Sequence, residues 1–226
     1  MSAAPFSKPA LTEVTAFLAR HQALIVHFSG APKGQGRDIY FPDDLRLALK
    51  GEAGTGLSCS VVRPGDEFEH PHRANAIGCI GVILAANSSD SLVAVSPDDV
   101  GSRLIDGVRL AIETDIMPAD LESSITNRGR NERTWYNEWV VRDFRVIGLF
   151  AIEPLRISVS GEEPDGGWGD TPEYLREDVG HKITSIEIAD LERYFPDTPI
   201  WSFEDDQLVR VDGGRSQPAK HADLYP

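Results

Sequence analysis

A series of short β-type segments, separated by turn signals, constrains the fold of this chain more than any other feature. These segments occupy residues 23–28 (ALIVHF), 57–63 (LSCSVVR), 76–84 (AIGCIGVIL), 91–95 and 145–158, and a hairpin is expected over 201–211. The turn residues between them include Pro64-Gly65-Asp66 and Asn87-Ser88-Ser89-Asp90, which favour chain reversal. Strands that are joined by such short turns indicate antiparallel pairing.

Helical patterns are few and do not alternate with the strands. Residues 12–22 carry apolar side chains at helical spacing, and 42–50 and 118–126 are predicted as two further helices. Pro42 suits the first turn of its helix and Gly51 suits the stop. Because no repeating strand–helix–strand rhythm is present, the sequence predicts an α+β fold with a mainly antiparallel sheet.

The composition changes after Gly161, where GEEPDGGWGDTPEY reads as a loop or linker. We therefore expect one α+β catalytic-like domain over residues 1–160 and a C-terminal extension over 161–226 that packs on it without being independent. A strand at 182–186 and a helix at 188–194 are expected within the extension, and the last dozen residues are expected to be a tail.

The chain is strongly acidic, and its charge restricts the function classes it can serve. It has 226 residues, a hydrophobic fraction of 41% and a formal net charge of −14. Such a charge argues against a nonspecific DNA-binding module and is compatible with a basic protein partner. The two cysteines suggest no disulfide framework, and no apolar run resembles a signal core or a membrane span, so a cytoplasmic protein without membrane contact is expected.

His27 closes the first apolar strand and precedes the glycine-rich loop SGAPKGQGR. Lys33 and Arg37 in that loop would suit a phosphate, and its glycines permit close backbone approach. The loop has neither a P-loop nor a Rossmann pattern. The alternative is a partly buried histidine that is hydrogen-bonded to a backbone carbonyl.

Two serines on the second strand form another candidate site. Ser58 and Ser60 would share one face while Cys59 points to the other. Paired hydroxyls could orient a sugar or an amide; alternatively, the serines simply face solvent. No G-x-S-x-G motif surrounds them, so the signature of a hydrolase is lacking.

Two sets of polar residues are candidate metal ligands. Glu69, His70 and His72 could join Cys59 or Cys79 around zinc, but no second ligand pair has zinc-site spacing. The carboxylates that stand near glycines at residues 98–107 could hold Mg²⁺, although ordinary turn chemistry explains them better. We expect no metal.

Glu138 stands within WYNEWVV, an aromatic and β-branched run. A carboxylate in such a run is costly unless it is paired or faces a cleft. One interpretation is an ion pair with an arginine from the stretch just upstream, at residues 128–133. The other is a catalytic carboxylate, because carboxylates in apolar surroundings are candidates for functional sites.

In chain order, the histidine of HFSG, the serines of LSCS and the glutamate of NEWVV resemble the three-part signature of ADP-ribosyltransferases. The likeness is greatest to the toxin-type enzymes that modify nucleic acids. The resemblance implies an α+β fold of two small packed sheets that clasp NAD as a substrate. It also implies a setting in bacterial conflict or phage defence.

The same resemblance implies a role for each matching residue. His27 would hold the NAD ribose, and Glu138 would position the acceptor or stabilise the oxocarbenium-like transition state. Ser58 and Ser60 would orient NAD, with Tyr40 as the alternative at this middle position. Lys33 or Arg37 would meet the pyrophosphate. The acceptor, protein or nucleic acid, is not specified.

Two other function classes stay open. The charge is compatible with a non-enzymatic acidic interaction protein, such as an antitoxin, immunity protein or regulatory partner. His70, His72 and the aspartates are compatible with a metal-dependent nuclease or hydrolase, although the net charge would oppose the approach of a nucleic acid.

Overall fold

A computed structural model describes residues 8–28, 56–66, 80–98, 109–126, 137–151, 195–212 and 215–225. The helices in these segments are α1 (Leu11–His21), α2 (Pro118–Thr126) and α3 (His221–Leu224). The strands are β1 (Leu24–Phe28), β2 (Leu57–Val62), β3 (Ile80–Ala86), β4 (Leu92–Ser96), β5 (Ala111–Ile112), β6 (Glu138–Val141), β7 (Phe144–Ala151), β8 (Ile200–Glu204), β9 (Gln207–Asp212) and β10 (Arg215–Pro218).

The ten strands follow one sheet order, β10-β9-β8-β7-β3-β1-β2-β6-β4-β5. The registers that are described are antiparallel, except that β7 and β8 run parallel. The predicted α+β class is confirmed, but the expectation of two small packed sheets is wrong. The physical reason lies in β2, which pairs with β1 along one side and with β6 along the other, so that the ladder continues through it.

One compact unit comprises Met1–His27, Asp44–Val62 and Leu84–Val146. Its helix α1 begins where the Ala10 N–H donates to Glu13 Oε2 over 2.7 Å, which satisfies a free donor at the helix start. In α1, Phe17 stacks on Trp139 of β6, with 6.0 Å between ring centroids. Helix α2 begins with Pro118, and the Asp120 carboxylate accepts from the Met117 N–H over 2.7 Å.

The second unit comprises Phe28–Asp43, Arg63–Ile83 and Ile147–Pro226. The Phe150 ring contacts those of Phe28 and Phe203 edge-on, at centroid distances of 5.9 and 5.4 Å. Gly148 lies under the Trp201 ring, where a Cβ atom would stand 2.7 Å from Trp201 Cδ1. The absence of a side chain therefore lets Trp201 pack against β7.

The end of the chain belongs to this second unit and is not a tail. Strand β10 pairs with β9, and α3 buries His221 and Leu224. The prediction of a tail is wrong because β10 reads RSQP and its side chains are largely exposed. An edge strand with no buried face has no alternating apolar pattern by which a sequence could reveal it.

Several predicted elements are confirmed to within a few residues, namely α1, α2, β1, β2, β4 and the β8–β9 hairpin. The antiparallel pairing expected across the turn at 87–90 is wrong, because β4 pairs with β6 and β5 and is not a neighbour of β3. The helix predicted at 42–50, the strand at 182–186 and the helix at 188–194 lie outside the described residues. The domain boundary expected near residue 161 lies there too and stays a prediction. None of the helices in the described part of the chain is long and apolar enough to cross a membrane.

Candidate functional site

The three strands that carry the candidate residues lie side by side in the order β1-β2-β6. Val26 of β1 pairs with Ser60 of β2, and Cys59 of β2 pairs with Trp139 of β6. The fold therefore brings Glu138 next to the serine strand, although a long stretch of chain separates the two in sequence.

Glu138 shares a face of the sheet with three serines. Glu138 pairs directly with Ser96 of β4. Val140, two residues further along β6 and on the same face, pairs with Ser58 of β2. Because paired residues point to the same side and successive residues alternate, Ser58, Ser60, Ser96 and Glu138 share this face. Ser60 and Ser96 stand on either side of the carboxylate, one on each neighbouring strand. We call Ser60, Glu138 and Ser96 the polar row.

His27 points to the opposite face. Its neighbour Val26 pairs with Ser60 and so belongs to the face of the polar row, which directs the His27 side chain the other way. His27 is largely buried, and its Nδ1 lies 2.7 Å from the Ser58 carbonyl oxygen. Since a carbonyl only accepts, Nδ1 carries the proton in this hydrogen bond. This contact matches the alternative prediction of a partly buried histidine that is hydrogen-bonded to a backbone carbonyl.

The other predicted ligand-binding residues, Lys33, Arg37 and Tyr40, lie outside the described residues. The same holds for Glu69, His70, His72 and Cys79 of the zinc alternative and for the arginines at 128–133. Asp98 is buried, and its N–H donates to Ser96 Oγ over 3.2 Å. Among the residues whose structure is described, no cluster of three or more His, Cys, Asp or Glu side chains is placed to hold a metal.

Glu138 is half-buried, and its negative charge affects the Cys59 thiol on the neighbouring strand. Burial, and secondly the negative charge of Glu138, raise the pKa of the Cys59 thiol above its usual range. The thiol therefore stays protonated near neutral pH, and its side chain belongs to the other face. Cys59 consequently does not serve as a nucleophile at this site.

Sequence reasoning missed two residues next to Glu138. Ser96 joins the polar row through strand pairing, which no local pattern reveals. Asn137 is fully buried, with its side-chain amide bonded to β2 and α2. Its signal was present in the sequence, because an asparagine inside an aromatic, β-branched run requires partners as much as a glutamate does.

Comparisons of the chain with protein-family models, with curated proteins and with solved structures find no match. The Glu138 carboxylate is half-buried and lies on an interior strand, with Ser60 and Ser96 on the two neighbouring strands. Such a group can stabilise developing positive charge and bind a hydroxyl-rich ligand.

Proposed function

We propose that this protein is an ADP-ribosyltransferase-like enzyme that uses NAD as a substrate, with Glu138 as its catalytic carboxylate. The observation that carries the proposal is the placement of the three motif-bearing strands, β1, β2 and β6, side by side. On these strands Ser60 and Glu138 share a face, as a site that holds a ribose beside a carboxylate requires.

In the proposed reaction the bond between the nicotinamide nitrogen and ribose C1′ breaks. Its electron pair leaves with nicotinamide, which becomes neutral, and positive charge develops on the ribose. The Glu138 carboxylate stabilises that charge. The acceptor's nucleophilic atom then bonds C1′ and releases its proton to solvent. With water as the acceptor, the products are ADP-ribose, nicotinamide and a proton.

The remaining roles differ in their support. Ser58 and Ser60 share the face of Glu138, which suits them to hydrogen-bond the ribose or the carboxamide of NAD. The roles of Lys33 or Arg37 at the pyrophosphate, of Tyr40 and of His27 at the ribose come from the family resemblance. Strand alternation directs His27 to the face opposite Glu138, so its role at the ribose is the one that the described geometry supports least. A His27 variant therefore tests that role directly.

The acceptor in this proposal is a protein or a nucleic acid, and the biological role is that of a bacterial toxin or defence effector acting in the cytoplasm. The net charge of −14 favours an acceptor on a basic protein over a nucleic acid.

The test is a calorimetric NAD titration combined with an assay of nicotinamide release, which needs no knowledge of the acceptor. Glu138→Gln keeps the shape of the side chain and removes its charge, so NAD should still bind while release slows by about 100-fold or more. The family resemblance predicts that His27→Ala weakens NAD binding, whereas the hydrogen bond of His27 to the Ser58 carbonyl on the other face predicts unchanged binding. Glu113→Gln makes the same change at an exposed glutamate of the compact unit that contains Glu138. This variant is the matched control and should behave as wild type.

Two outcomes would overturn the proposal. If the wild-type protein does not bind NAD at millimolar NAD concentration, the proposal that it is an NAD-dependent enzyme is wrong. A folded Glu138→Gln variant that releases nicotinamide at the wild-type rate would remove the catalytic role of this residue.

The net charge favours a second candidate function, an acidic interaction protein without enzymatic activity. That function predicts that Glu138→Gln and His27→Ala leave the biological activity intact. Charge reversal across a contiguous acidic surface would instead abolish binding of a basic partner. The NAD titration separates the two candidates, because only the enzyme binds NAD.

A further inference from the structure

The two residues that flank Glu138 are both fully buried and both make side-chain hydrogen bonds. Asn137 and Trp139 have no exposed surface, and strand alternation directs them to the face opposite the carboxylate. Glu138 thus stands between two anchored neighbours. The partners of these neighbours explain how the carboxylate is held.

The Asn137 side chain extends the pairing of β6 with β2. Its Oδ1 accepts from the Val61 N–H over 2.6 Å, and its Nδ2 donates to the Val61 carbonyl over 3.0 Å. A primary amide offers one donor and one acceptor side by side, as a peptide group of a neighbouring strand would. The Ser60 hydroxyl adds a hydrogen bond to the Asn137 carbonyl over 3.2 Å.

One serine of α2 binds both neighbours of Glu138. Asn137 Nδ2 donates to the Ser124 carbonyl over 3.1 Å, and Trp139 Nε1 donates to Ser124 Oγ over 3.0 Å. The Ser124 hydroxyl in turn donates to the Leu121 carbonyl over 2.7 Å, which fixes its orientation. Ser124 is fully buried, so water does not compete for these bonds.

We propose that Asn137, Trp139 and Ser124 form a clamp whose task is to position the Glu138 carboxylate for catalysis. This inference rests on the proposed function of Glu138. A carboxylate stabilises a developing charge well only when it is already oriented, because reorientation during the reaction costs energy. Anchoring the backbone on both sides of Glu138 supplies that orientation. None of the three clamp residues shares its face, so they act as positioning residues.

A double variant separates positioning from stability. Ser124→Ala removes the acceptor of the buried Trp139 N–H, which destabilises the protein by leaving that donor unpaired. Adding Trp139→Phe removes the donor as well, so part of the lost stability should return while the hydrogen bond between Trp139 and Ser124 stays broken. The bond from Asn137 Nδ2 to the Ser124 carbonyl is kept in both variants. Nicotinamide release should show a kcat on the order of tenfold lower or more in both variants. The KM for NAD should stay within about twofold, since the NAD-binding groups are intact.

Ser91→Ala is the matched control in the same unit. Ser91 is also fully buried, and its hydroxyl donates to the Asp143 carbonyl over 2.8 Å and accepts from the Ser88 N–H over 3.1 Å, away from the clamp. The control should lose stability and keep its kcat. Trp139→Phe alone, which leaves Ser124 bonded to Leu121, provides the same measurement should the double variant not fold.

The outcomes distinguish this inference from the function on which it rests. If kcat of the double variant recovers together with its stability, or if Ser91→Ala loses kcat equally, the clamp is purely structural and the inference is overturned. The catalytic role of Glu138 would survive either result. If the wild-type protein releases no nicotinamide, the proposed function fails, and the positioning role fails with it.

Discussion

Cys59 and Glu138 occupy opposite faces of the sheet on the neighbouring strands β2 and β6. The thiol is buried, and burial is the larger cause of its raised pKa, with the Glu138 charge second. A neutral thiol next to the carboxylate brings no positive charge close to it. The Cys59 thiol therefore stays uncharged near neutral pH and adds no second negative charge beside Glu138.

The raised thiol pKa predicts a pH dependence of stability. The unfolded chain releases the Cys59 proton above about pH 8.5, whereas the folded protein retains it, so unfolding becomes more favourable as the pH rises. The stabilising contribution is complete below that pH and is lost above it. Relative to Cys59→Ala, the wild-type protein should lose up to about 1.4 kcal/mol of unfolding free energy per pH unit in this range.

Urea unfolding of both proteins at about pH 7, 8.5 and 10 measures this difference. Cys79 is present in both and cancels in the comparison. Parallel pH profiles for the two proteins would contradict a buried, protonated Cys59.

Strand β2 is the element that joins the candidate residues, because it pairs with the strands of both His27 and Glu138. The chain enters β2 through Gly56, which has φ = 110° and lies so close to β6 that a Cβ atom would stand 2.9 Å from Val140 Cγ1. Both the backbone conformation and the close approach require glycine there. The LSCS motif predicted this strand but not its second partner.

Strand β10 and helix α3 show where element prediction from sequence ends. Helix α1 was predictable because Val14, Phe17 and Leu18 recur at helical spacing and are all buried. The four residues of β10 are largely exposed and those of α3 form a single turn, so neither has a periodic pattern. Their formation depends on β9 and the rest of the second unit.

Leu224→Ala tests whether the end of the chain is structured. Leu224 is buried, so its truncation should lower the unfolding free energy by about 2–4 kcal/mol. Gln217→Ala, at an exposed position of β10, is the control and should change it by less than about 0.5 kcal/mol. Urea denaturation measures both, and equal stability of the two variants would show that the terminal segment contributes no core.

At the scale of the whole molecule, the strand order and the charge govern what the protein can bind. The order β1-β2-β6-β4 assembles the polar row from segments that are distant in sequence. The net charge of −14 gives the protein as a whole a field that repels polyanions. An NAD molecule with one net negative charge meets much less repulsion than a nucleic acid does.

We therefore expect no measurable binding to duplex DNA or single-stranded RNA at about 200 mM salt, with a dissociation constant weaker than about 100 µM. Fluorescence anisotropy with labelled oligonucleotides at two salt concentrations checks this. A lysine-rich peptide is the control of opposite charge and should bind more tightly at low salt. Tight nucleic-acid binding that weakens steeply with salt would reveal a local basic surface and would favour a nucleic-acid acceptor.

The sequence by itself determined the fold class, most element positions and the acidic character, because these depend on local periodicity, turn residues and composition. It also singled out Glu138, since a carboxylate in an apolar strand is conspicuous without any structure. Only the tertiary structure decided that the strands join in one sheet, that Glu138 stands between Ser60 and Ser96, and that His27 points away from them. The physical reason is that a strand's partner and register arise from contacts between distant segments, and a shift of one residue reverses the face of every side chain.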